Sequence, residues 1–233
     1  VHRIRVITLD LDDTLWDIAP VIRRAEAELW QWLSQHYPRI PQVVSPEDAQ
    51  EIRAQIFGEF PDKSHDFRFL RKQVLAKIAV LSGYSEDLVG PAFDVFDAAR
   101  NRIEFFPDVL PVLEALTSRY RLIAVTNGNA SLQRIGIRHL FHDVVTAVDA
   151  GAAKPDMPIF EEAVRRAGVD KGHILHVGDH PENDVEGARS AGLRSAWMNR
   201  NGNSWPEQLQ QPDAIVSNMT ELHDLLLAGR NAD

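Results

Sequence analysis

Cysteine is absent from the 233 residues, which excludes disulfides, thiolate metal sites and a thiol nucleophile. No apolar run approaches the roughly 20 residues that cross a bilayer. The opening VHRIRVITLD has neither the apolar stretch nor the small-residue cleavage site of a secretory leader. We therefore expect a cytoplasmic protein with no membrane partner. Basic residues are also in short supply, 25 against 34 acidic, for a net charge of −9. Binding along a nucleic-acid backbone needs a basic stripe, so nucleic acid is not an expected partner. Small phosphorylated ligands stay open, because a bound cation can reverse the local field. No internal repeat, low-complexity tract or oligomer-interface signal stands out.

What is present is an ordinary globular composition, 44% hydrophobic and 25% charged. Short apolar, β-branched runs predict strands at Arg3–Leu9, Arg121–Thr126, Ile174–Val177, Arg194–Met198 and Ala214–Val216, with a weaker one at Val144–Val148. Their near-continuous apolarity fits a parallel sheet covered on both faces. Helical spacing over Val109–Arg119, Pro158–Ala167, Asn183–Ala191 and Met219–Leu227 alternates with them, as in a doubly wound α/β domain. Residues 17–106 differ. They contain no convincing strand, and helices are predicted over Pro20–Tyr37, Pro46–Phe57, Phe67–Leu81 and Glu86–Phe105. Trp30, Leu33, Phe69, Val74, Ile78, Phe93 and Phe96 recur at helical spacing and read as core. The expected organisation is an α/β core from residues 1–16 and 107–233, with residues 17–106 inserted as an all-helical domain.

Four polar motifs follow the predicted strands. The first, Asp10-Leu11-Asp12-Asp13-Thr14, sets three aspartates at the carboxyl end of the first strand, where open α/β sheets bind ligands. A helix cap or Asx-turn accounts for one of them, not for three. The second, Thr126-Asn127-Gly128-Asn129, offers a hydroxyl and amides to an anion, although T-N-G is also a common turn. The third is Lys154-Pro155, which alone would be a solvated loop. The fourth, Gly178-Asp179 through Asp184, has a bland reading as a turn and a first helical turn. Together these side chains converge on one edge of a parallel sheet. Several carboxylates in one place call for a hard divalent cation, and Mg²⁺ takes oxygen ligands and shares its shell with phosphate.

The order DxDxT, strand-end Thr, Lys-Pro, GDxxxxD resembles the haloacid dehalogenase superfamily of phosphohydrolases, over the whole chain. The resemblance implies a Rossmann-like doubly wound parallel sheet with a helical type-one cap. It implies Asp10 as nucleophile, becoming an aspartyl phosphate, and Asp12 as the group that protonates the leaving alcohol and then deprotonates the hydrolytic water. It implies Mg²⁺ on Asp10, the Asp12 carbonyl and Asp179, with Asp184 holding a metal-bound water or Lys154. Thr126 and the Asn127 amide would bind phosphoryl oxygens, with Lys154 balancing charge. Asp12 favours phosphoester chemistry over carbon–halogen cleavage, because the dehalogenase branch resembles an aromatic residue there. LDLDDTLW, AVTNGNA, HILHVGD and PDAIVSNMTEL are similar to bacterial riboflavin-pathway phosphatases, which hydrolyse flavin mononucleotide or the pyrimidine phosphate preceding riboflavin. In that comparison Arg68, Arg71 and Trp16 are candidate substrate contacts, against surface arginines and a hinge-packing tryptophan. The substrate would be a small phosphorylated metabolite. Other readings are a phosphosugar phosphatase, a phosphomutase, a 2-haloacid dehalogenase, a receiver-like phospho-acceptor and an inactive scaffold.

Overall fold

The computed structural model describes residues 4–228. After β1 (Val6–Leu9) come α1 (Ile18–His36), α2 (Ile40–Val43), α3 (Pro46–Glu59), α4 (Phe67–Leu81) and α5 (Val89–Arg100). Next are α6 (Val109–Thr117), β2 (Arg121–Thr126), α7 (Leu132–Ile135), β3 (Asp143–Thr146), α8 (Ala147–Ala150) and α9 (Met157–Ala167). The chain ends with β4 (Ile174–Gly178), α10 (Gly187–Ser190), β5 (Arg194–Met198), β6 (Ala214–Val216) and α11 (Met219–Ala228).

Two compact units result. One holds the described residues of Val1–Asp17, Glu104–Gly128 and Leu132–Asp233; the other holds Ile18–Ile103 and Asn129–Ser131. In the first unit six strands, all parallel, take the order β3-β2-β1-β4-β5-β6. This is the Rossmann-like doubly wound arrangement, whose direction reverses between β1 and β4 and leaves a crevice at their carboxyl ends. Val6, Ile123, Val125, Val145 and Ile174 share a buried cluster with Ile159, Phe160, Ala163 and Ala167 of α9. Those four α9 positions form one helical face, so the helix covers its side of the sheet through apolar burial.

The second unit is helical. Leu33, Val74, Ile78, Phe93 and Phe96 lie in its core, and Trp30 and Phe69 pack partly buried against it. Helix starts follow the chemistry of capping. Ser45 accepts from the Asp48 amide while Asp48 accepts from the Ser45 amide, and Asp66 caps α4 through the Phe69 amide. Each such cap is worth about 1 kcal/mol.

Three predicted elements end differently. The strand expected over Val144–Val148 stops at Thr146, whose hydroxyl and Asp149 form a reciprocal cap that opens α8. The helix expected over Glu86–Phe105 begins as a 3-10 turn at Glu86–Leu88 and stops at Arg100. Asn101 occupies its C-cap, and Phe105 bridges to Trp16 instead. The helix expected over Asn183–Ala191 is a π-helical turn, Pro181–Glu186, running into α10.

Candidate active site

Asp10 is the first residue after β1, and its amide donates to the Val177 carbonyl of β4 at 2.9 Å. Asp179 follows β4 directly, so these two carboxylates flank the crevice between β1 and β4. Asp184 comes from the π-helical turn. Carboxylate oxygens of Asp10, Asp179 and Asp184 all lie within 4.8 Å of one another. Lys154 Nζ donates to Asp10 Oδ1 at 2.5 Å and to Asp184 Oδ1 at 2.6 Å. Lys154, Asp10 and Asp184 are buried.

The remaining bonds lock this group. Asp184 Oδ2 accepts from the His180 amide at 2.9 Å, and Oδ1 lies 3.1 Å from His176 Nε2. A Cβ on Gly178 would sit 2.2 Å from Asp184 Cγ, so the position requires glycine. The Asn127 carboxamide latches the Lys154 backbone from both sides: Oδ1 accepts from its amide at 2.7 Å and Nδ2 donates to its carbonyl at 3.0 Å. Thr126, buried at the end of β2, accepts from the Gly128 amide at 2.9 Å.

The first motif divides its labour. Asp13 takes a left-handed conformation, φ 61°, and its amide donates to the Trp16 carbonyl, shaping the turn. Thr14 is fully buried, and its hydroxyl donates to Asp179 Oδ1 at 3.2 Å. Trp16, a candidate substrate contact or hinge-packing residue from the sequence, has its indole inside the fold. It is fully buried, stacks edge-on against Phe105, and donates from Nε1 to Asp12 Oδ1 at 2.8 Å. The apolar indole body is buried while its N–H finds a partner, as buried tryptophans require. Thr14 is not legible as a site residue because its partner Asp179 lies 165 positions away, and His176 is masked by the apolar strand run it sits in, although Asp184 follows only eight positions on.

Electrostatics follow from the crowding. Burial raises the Asp10 carboxyl well above its ordinary range, Lys154 opposes this, and Asp184 and Asp179 add to it. Asp179 is pushed up to about 6 by burial, then by Asp184 and Asp13. Asp184 goes the other way. Burial would raise it, but Lys154 and His176 outweigh that and hold it well below the usual carboxylate range. Lys154 stays cationic, since Asp10 and Asp184 override its burial. With all three carboxylates ionised and Lys154 protonated, the cluster would carry an excess of two negative charges. An all-oxygen donor set with that excess fits one divalent cation.

In the helical unit, Arg68 and Arg71 separate. Arg68 pairs with buried Asp97 at 2.8 Å and lies over Phe93. Arg71 pairs with Glu26 at 2.9 Å, stacks 3.4 Å from the centre of the Phe96 ring, and lines a cavity of about 200 Å³ with Arg53, Phe57, Phe67 and Asn129. Arg53, which the sequence did not single out, shares Glu26 with it at 2.8 Å.

The chain is similar to known proteins over most of its length. The profile of the haloacid dehalogenase-like hydrolases matches residues 4–192. The Escherichia coli protein named 5-amino-6-(5-phospho-D-ribitylamino)uracil phosphatase YigB is 31% identical, over 96% of this chain and 97% of its own. Human N-acylneuraminate-9-phosphatase is 27% identical, over 97% and 95%. A crystal structure described as 2-haloacid dehalogenase from Pseudomonas syringae pv. Tomato superposes with a TM-score of 0.90 at 40% identity, covering 97% and 99%. From a Rossmann-like sheet, an acidic strand-end cluster and a profile match over most of its length, the chain belongs to the haloacid dehalogenase-like hydrolases.

Proposed function

We propose that this chain is a cytoplasmic, Mg²⁺-dependent phosphomonoester hydrolase acting on a small phosphorylated metabolite. The observation that carries the reading is the buried Lys154 ammonium bridging Asp10 and Asp184, with Asp179 in the same cluster. Mg²⁺, held by Asp10, the Asp12 carbonyl and Asp179 with Asp184 behind them, would supply charge neutralisation at the phosphoryl oxygens. A carboxylate oxygen of Asp10 attacks phosphorus in line as the bond from phosphorus to the leaving oxygen breaks, giving an aspartyl phosphate. Asp12 donates a proton to the leaving alkoxide. It then takes one from the water whose oxygen attacks phosphorus, and the Asp10–phosphorus bond breaks to release phosphate. Lys154, Thr126 and the Asn127 amide hold the equatorial oxygens, so most of the rate comes from positioning and electrostatics. The similarity to YigB makes flavin mononucleotide and the riboflavin-pathway pyrimidine phosphate the first substrates to test.

A second reading, 2-haloacid dehalogenation, is favoured by the 40% identity to a structure of that description. Asp12 argues against it, because a departing halide needs no proton. Wild-type protein is expected to release phosphate from p-nitrophenyl phosphate and from one or more members of a metabolite panel that includes flavin mononucleotide. Asp10→Asn should abolish turnover, and EDTA should suppress it until Mg²⁺ is restored. Chloride release from 2-chloropropionate without phosphate release from any ester would establish the second reading in its place.

A further inference from the structure

His176 sits within β4 in the run Ile-Leu-His-Val-Gly and is fully buried. A strand covered on both faces ordinarily carries an aliphatic residue there. An imidazole in that setting is costly unless both ring nitrogens find partners. Both do: Nδ1 lies 2.9 Å from Thr8 Oγ1 of β1, and Nε2 lies 3.1 Å from Asp184 Oδ1. The ring edge meets Phe160 at right angles, with centres 5.2 Å apart.

The bonding partners set the tautomer. Asp184 already accepts from Lys154 Nζ at Oδ1 and from the His180 amide at Oδ2, and an ionised carboxylate has no proton to offer. Nε2 must therefore carry the hydrogen. In the neutral ring Nδ1 is then bare and accepts from the Thr8 hydroxyl, an arrangement of the kind that orients catalytic imidazoles. Asp184 is thus held by His176, Lys154 and the His180 amide, with its carboxylate carbon pressed against Gly178. Lysine has a flexible stem, so where its ammonium rests depends on the anions that hold it. His176 itself makes no bond to Asp10.

We infer that His176 is a positioning residue. Its Nε2–H, oriented by the Thr8 hydroxyl at Nδ1, fixes the Asp184 carboxylate so that Lys154 is directed onto Asp10. The kinetic half of this inference rests on the phosphatase reading; the geometric half does not.

Four variants test it: His176→Gln, His176→Asn, His176→Phe and Thr8→Val. Glutamine places an N–H near the position of Nε2, whereas asparagine is too short and phenylalanine has no donor. kcat on p-nitrophenyl phosphate should stay within about threefold for His176→Gln and fall about 10- to 100-fold for His176→Asn and His176→Phe, the usual range for partners behind an active-site ligand. Thr8→Val should fall between. Thermal stability should rank otherwise, because phenylalanine keeps the apolar contact with Phe160 and buries no amide. Activity that follows stability across the set, or a fully active His176→Phe, would overturn the assignment. Nitrogen-15 NMR of the wild-type imidazole should show Nε2 protonated and Nδ1 bare, and the Lys154 Nζ resonance should move in His176→Phe but not in His176→Gln. The opposite tautomer, or an unmoved Lys154, would overturn it even in a protein that hydrolyses no ester, and that lack of turnover would count separately against the phosphatase reading.

Discussion

Two residues show how narrowly the site is held. Gly178 leaves room for the Asp184 carboxylate where any side chain would collide with it, at 2.2 Å from the nearest carbon. Asp184 cannot move aside without losing Lys154, His176 and the His180 amide. Gly178→Ala should therefore destabilise the protein by about 1–3 kcal/mol, the usual cost of overpacking, and lower kcat about 100-fold or more; urea unfolding and steady-state kinetics measure the two effects. Trp16 holds Asp12 by one hydrogen bond. Trp16→Phe should cost about 1 kcal/mol of stability. Under the proposed mechanism its kinetic effect depends on the leaving group. An alkyl phosphate, which needs a proton on departure, should slow about tenfold or more, whereas p-nitrophenyl phosphate, whose phenolate leaves readily, should slow less. Equal losses on both esters would separate Trp16 from the proton carrier.

Among elements, the strands and their ends were the most legible part of the molecule. Apolar runs such as RLIAVT and ILHVG mark buried parallel strands by burial alone, and the polar residue that ends each run marks the sheet edge. Asp10, Thr126 and Asp179 stand at such ends, whereas Lys154 follows the end of β3 by eight residues. Irregular turns were not legible. Nothing in PENDVE separates a π-helical turn from the first turn of an α-helix, because the difference lies in which carbonyl each amide finds. Helix α5 ended earlier than its apolar pattern because Asn101 caps it, donating from Nδ2 to the Asp97 carbonyl at 2.7 Å. The same side chain accepts from the Ser131 amide at 2.7 Å, and Arg100 donates to Asn129 at 3.0 Å. The end of this helix thus anchors a loop that starts three residues after Thr126. Asn101→Ala should cost about 1–3 kcal/mol, because it leaves buried groups unpaired. KM for p-nitrophenyl phosphate should rise severalfold with kcat little changed, as steady-state kinetics would show.

At the scale of the whole chain, an excess of nine negative charges coexists with a site that gathers carboxylates. The sign of the resulting pH dependence is opposite to that of an ordinary salt-bridged acid. Asp179 binds its proton more tightly when folded, up to about 6, than in an unfolded chain, near 3.9. Between those values the folded state holds more protons, so this group favours folding below about pH 4 and loses that contribution as pH rises through 6. Burial gives Asp10 the same sign. A divalent cation bound only by the folded protein offsets the penalty. Added Mg²⁺ should therefore raise Tm more at pH 7 than at pH 5, and EDTA should cancel the difference. Calorimetry at both pH values checks this, and an equal Mg²⁺ effect at each would count against the acidic cluster as the binding site.

The assignment of Asn129–Ser131 to the helical unit also bears on engineering. The helical module is discontinuous: Ile18–Ile103 together with a tripeptide encoded far downstream, joined by Asn101 and Arg100. A graft of the long segment alone would import a foreign end to α5 and confront it with the host's tripeptide. The exchangeable unit is the pair of segments, and a graft of the helical module should carry both.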